Sequence, residues 1–77
     1  MTTSDVLRSM EKMLDLESGS IKGTENLREE LPWDSLAALE FMAMADKELQ
    51  VRIAGDDLAA GITVQDLLNL LREKIAP

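Results

Sequence analysis

An all-α fold is predicted by three features of this 77-residue chain. Apolar residues recur at helical spacing in three separate stretches, aromatic and β-branched residues are too few for a sheet, and Gly, Pro and Asn punctuate the segments between. The architecture expected is a small antiparallel bundle of three main helices plus one short helix, forming a single domain over 1-77 with a long loop between helices one and two. A core this small nets only about 3–5 kcal/mol. With no cysteine, the chain has neither a disulfide nor a thiolate metal site to add to it.

Helix one is expected from about Ser4 to Leu16, because Val6, Met10 and Met13, with Leu7 and Leu14 one position on, share one stripe behind the cap candidates Thr2, Thr3 and Ser4. Between Glu17 and Asp34 the pattern breaks at Gly19, Gly23, Asn26 and Pro32. Loops beyond roughly 12–15 residues are usually functional or disordered. Here Ile21, Leu27 and Leu31 supply apolar anchors that predict an ordered loop, mobile in parts. Pro32 disfavours an α conformation at Leu31, and Asp34 or Ser35 can accept the first free amides, so the next long helix should run from there to about Gln50. Its wheel sets Ala38, Phe41, Ala45 and Leu49 on a core stripe. Leu36, Leu39 and Ala43 lie on another side, together with Glu40, Asp46 and Lys47.

Gly55-Asp56-Asp57 offers a turn and a cap before a short helical turn at Leu58-Ala59-Ala60. Thr63 with Asp66 three residues on has the form of a capping box. Val64, Leu67, Leu68, Leu71 and Ile75 then form the stripe of the last helix, with Arg72 and Lys74 in its final turn, where the dipole favours cations.

Fifteen acidic residues against eight basic ones give a formal charge of −7. Residues 17 to 50 carry five of those seven charges. Scattered bases in an acidic chain disfavour nucleic acid and anionic membrane surfaces, and point instead to protein partners with basic patches. No apolar run is long enough for membrane insertion, and the first residues lack the basic head and apolar stretch of a signal peptide, so a cytoplasmic monomer is expected. Without histidine or cysteine the usual general base and the strongest nucleophile are missing. The acidic pairs Glu29-Glu30 and Asp56-Asp57 lack the spaced oxygen ligands of a calcium loop. A non-catalytic protein without a metal site is expected.

The sharpest local signal is the segment from Leu31 to Glu40, which sets the hydroxyl of Ser35 at a helix start, beside an acid and after a long loop. Such a serine most often caps its own helix. Helix amides can equally receive a phosphate esterified to that hydroxyl. Trp33 is expected to cover the edge of the core, and Met10, Met13, Met42 and Met44 to fill gaps in it, with an adaptable pocket as their second use.

In these residues the chain resembles the acyl carrier proteins, whose modified serine lies in an Asp-Ser-Leu triplet at the start of the second helix. Here the triplet is Asp34-Ser35-Leu36. The similarity extends through Leu39-Glu40, Asp46 to Leu49, Ile53, the Asp56-Asp57 turn and the run from Thr63 to Leu67. It implies that Ser35 receives 4′-phosphopantetheine from coenzyme A as a phosphodiester, through a separate magnesium-dependent phosphopantetheinyl transferase whose docking motif includes Asp34 and Leu36. It also implies that acyl groups are held as thioesters on the arm's thiol, so the reactive sulfur is imported. Leu36, Leu39, Glu40, Ala43 and Asp46 match the family's recognition helix for acyl-transferring or acyl-processing enzymes with basic docking patches.

The chain departs from the common pattern at Pro32 and Trp33, where small residues are usual, at Ala43, where fatty-acid carriers have Met, and at Lys47, which interrupts an acidic run. Among fatty acid, polyketide, lipid and surface-glycan biosynthesis, these departures favour a specialised pathway over housekeeping fatty acid synthesis. The alternatives are a peptidyl or aminoacyl carrier, and an acidic helical adaptor without a prosthetic group in which Ser35 is only a cap.

Overall fold

Helices α1 (Thr3–Met13), α2 (Leu27–Glu30), α3 (Ser35–Leu49), α4 (Gly55–Ala60) and α5 (Val64–Leu70) build a computed structural model that describes residues 1–77 and contains no β-strand. Thr2 caps α1, accepting from Asp5 N while the Asp5 carboxylate accepts from Thr2 N. The helix ends at Met13, short of the expected Leu16, because Leu14 leaves the α region and Asp15 turns left-handed at φ 58°. Leu16 still packs its side chain on the core from outside the helix.

The long loop contains α2, an extra turn absent from the sequence expectation. Asn26 caps it by accepting from Arg28 N and Glu29 N, and four residues are too few for a periodic apolar pattern to announce a helix. The last helix stops at Leu70, so Arg72 and Lys74 lie in turns beyond it. Ile75 nevertheless packs on the core.

Sixteen buried apolar side chains form one cluster, in which Val6, Met10, Ile21, Leu27, Phe41 and Leu67 are fully enclosed. Helix α1 packs against α3. The buried stripe of α3 is Ala37, Phe41, Ala45 and Leu49, in uniform steps of four. Ala37 rather than Ala38 therefore heads it, and Ala38 sits half-buried at its margin.

The loop is held from both sides. Glu11, 1% exposed, is the one buried charged residue; its Oε2 accepts from Ile21 N at 2.9 Å and Gly19 N at 3.0 Å. Arg8 Nε lies 2.7 Å from Glu11 Oε1, but the N–H is bent away from the oxygen, so the contact is an ion pair without a formed hydrogen bond. Burial pushes the Glu11 carboxyl up, and the Ile21 and Gly19 amides with Arg8 outweigh it, holding the group below its ordinary value. On the other side, Leu27 N donates to Ile62 O at 2.9 Å and Val64 N to Glu25 O at 3.0 Å, joining the loop to the start of α5. With Ile21 and Leu27 buried, these ties place α2 and the Leu31-to-Asp34 segment beside α3.

Candidate functional site

Leu31 is extended, at φ −125° and ψ 153°, as Pro32 after it requires. The chain then enters α3 through Asp34, whose Oδ1 accepts from Ala37 N at 2.9 Å. Asp34 is thus the N-cap. Ser35 follows as the first helical residue, exposed, and its hydroxyl makes no hydrogen bond within the chain. The amides of Ser35 and Leu36 have no carbonyl one turn back to reach, as in any first turn. A free hydroxyl therefore stands at the positive end of a 15-residue helix.

Trp33 meets Phe41 edge to face, with ring centroids 6.1 Å apart and planes at 70°. This half-buried ring covers the core edge, as its sequence position suggests, and its other surface lines a groove of about 500 Å³ between α3 and α4. Ser35 opens onto the same groove, with Ala38, Leu39 and Met42 on one wall and Leu58 on the other. Among the methionines, Met10 is fully buried, Met13 and Met44 pack at the core margin, and Met42 alone reaches the groove.

The remaining candidates form one outward stripe on α3. Leu36 and Leu39 are 64% and 62% exposed, large values for leucine, and Glu40, Ala43 and Asp46 are exposed alongside them. Asp46 has only a 4.0 Å approach from the freely exposed Arg52, too loose a pair to occupy its carboxylate. Apolar centres flanked by available carboxylates suit a basic protein surface.

Arg28 belongs to the site although sequence reasoning left it unassigned. It lines the groove while donating from one terminal nitrogen to Gly61 O at 2.9 Å and from the other to Ala59 O at 3.3 Å. One available signal was its setting, a lone cation among Glu25, Glu29 and Glu30.

An exposed, internally unbonded hydroxyl with free helix amides beside it and an adjoining part-apolar groove fits a phosphate-linked flexible arm. Comparison with known proteins bears on the same chemistry. A family model described as the phosphopantetheine attachment site matches residues 4–71. No curated protein gives a significant match. The match spans most of the chain and the fold is all-helical, so the protein belongs to the phosphopantetheine attachment-site family, the carrier domains on which 4′-phosphopantetheine is covalently attached.

Proposed function

We propose that Ser35 is the attachment residue and that the protein is a non-catalytic acyl carrier, one domain over residues 1–77. The observation that carries this reading is the division of labour at the head of α3: Asp34 does the capping, which leaves the Ser35 hydroxyl exposed and uncommitted. In the loading step Ser35 Oγ forms an ester bond to the phosphopantetheinyl phosphorus of coenzyme A. The pyrophosphate bond breaks, adenosine 3′,5′-bisphosphate leaves, and the hydroxyl proton passes to the transferase. The arm supplies a terminal thiol, and with it thioester chemistry, to a chain without cysteine.

Partner enzymes dock on Leu36, Leu39, Glu40, Ala43 and Asp46 through basic patches, in contacts that are fast and salt-sensitive. Asp34 and Leu36 serve the transferase. The acidic α3 and the aspartate before Ser35 favour an acyl cargo over an amino acid. The departures at Pro32, Trp33, Ala43 and Lys47 favour a specialised lipid, polyketide or surface-glycan pathway, in the cytoplasm. The cap at Asp34 counts against an adaptor in which Ser35 is only a cap.

The test is to incubate the purified chain with coenzyme A, magnesium and a broad-specificity transferase and to weigh it intact. The wild type should gain one phosphopantetheinyl group and Ser35→Ala none. A gain that persists in Ser35→Ala, or no gain with any transferase tried, overturns the assignment.

A further inference from the structure

We propose that Arg28 is an anion contact for the attached group, so that the groove beside Ser35 selects an arm or cargo carrying an oxyanion; this rests on the reading of Ser35 above. The guanidinium is held in place by Gly61 O and Ala59 O, at the end of α4. A guanidinium has five N–H donors, and those two bonds leave the rest free. Two backbone carbonyls fix where the group sits without neutralising its charge.

Arg28 is exposed and, like most cations of this chain, has no ion-pair partner; its two backbone bonds and its place on the groove set it apart. Among fifteen acidic residues, only Glu11 and Asp46 lie within ion-pair distance of a cation, and neither partner is Arg28. Of its acidic sequence neighbours, the Glu25 carboxylate accepts from Lys22 N and Gly23 N and Glu30 from Asn26 N, while Glu29 is exposed and forms no ion pair with it. The other charged residue lining the groove, Asp34, caps α3. Arg28 is therefore an unpaired cation on the wall of an otherwise largely apolar groove that also contains the Ser35 hydroxyl. A ligand complementary to that wall has an apolar body against Trp33 and Met42 and an oxyanion at Arg28.

Two parts of the attached group can supply the oxyanion: the phosphodiester at Ser35, or a carboxylate at the far end of the cargo. Four forms of isotope-labelled protein separate them, namely apo, holo, hexanoyl-loaded and adipyl-loaded, the last differing from the third by its terminal carboxylate. Intact mass first establishes loading, and its failure removes both this proposal and the assignment of Ser35. With loading established, the Arg28 Nε–H resonance is followed. A shift already present in the holo form assigns the phosphodiester, and one that appears only with adipyl assigns the cargo carboxylate. No shift in any form overturns the proposal while leaving Ser35 in place.

The second readout is aminolysis of the thioester by hydroxylamine, normalised to the free pantetheine thioesters. If the cargo carboxylate is the source, the adipyl form should react about two- to fivefold more slowly than the hexanoyl form at low salt, the range of a partly solvated ion pair. High salt or Arg28→Gln should bring the ratio back to one. A ratio that differs from one but ignores both changes counts against Arg28. The salt series on the wild type keeps the test decisive if Arg28→Gln folds poorly.

Discussion

Truncating Glu11 to alanine should remove most of the stability of this domain. Its carboxylate satisfies the amides of Ile21 and Gly19 and faces Arg8. Each hydrogen bond to a charged group contributes about 1.5–3 kcal/mol, and a buried donor left unsatisfied costs a similar amount. Arg8 adds little, since its side chain is 40% exposed and its Nη2 keeps its bond to Ile21 O when the partner goes. Loss of the two amide contacts at the lower end of that range gives about 3–4 kcal/mol for Glu11→Ala. The whole core nets about 3–5 kcal/mol, so the variant should be largely unfolded near room temperature. Glu11→Gln keeps one oxygen for the amides but gives up the charge, and should cost about 1–2 kcal/mol. Urea unfolding followed by circular dichroism measures both. If both variants unfold within about 0.5 kcal/mol of the wild type, the size of an ordinary surface substitution, the buried carboxylate does not hold the loop.

The same group sets a response to acid. Glu11 and Glu25 are both held below the ordinary glutamate value of 4.5, so their contribution is complete above that pH and is lost as pH falls through the folded-state values. The urea midpoint should therefore decline below about pH 4.5, less steeply in Glu11→Gln; a flat or rising profile there contradicts the assignment. At the head of α3, Asp34→Ala should cost about 0.5–2 kcal/mol through the lost cap, while Ser35→Ala should stay within about 0.5 kcal/mol of wild type. The reverse order in thermal or urea unfolding would return the cap to Ser35. Charge reversal at Glu40 and Asp46 together should weaken binding of the loaded protein to an acyl-processing enzyme with a basic docking surface, more at low salt than at high. Equal losses at both salt concentrations would remove electrostatic steering from the account.

The sequence was most legible where one device decides the local structure. Pro32 followed by Asp34 fixes the start of α3, and Thr63 with Asp66 fixes the start of α5; both caps form as the spacing predicts. Ser35 was identifiable as a candidate from its triplet, but not its freedom, because Asp34 and Ser35 are both competent caps and only the backbone path decides between them. Periodicity erred where it followed apolar residues past a helix end. Leu16 and Ile75 reach the core from turns, so their hydrophobicity is real and their helicity is not. The Ala37 and Ala38 confusion is one step on a wheel between two identical side chains, and only Trp33 and the groove beside Ala38 break the tie. Glu11 did leave a trace, falling four residues after Leu7 and three before Leu14 on an apolar stripe. An acid there is either misplaced or tethered, and its partners, the Ile21 and Gly19 amides, are backbone groups that no side-chain pattern reports.

The chain's single tryptophan sits on the wall that also holds the attachment candidate. Its indole is therefore a native optical probe, sensitive to whatever enters the space between α3 and α4. Emission colour and quenching by iodide can follow occupancy in real time, with no dye attached to so small a molecule.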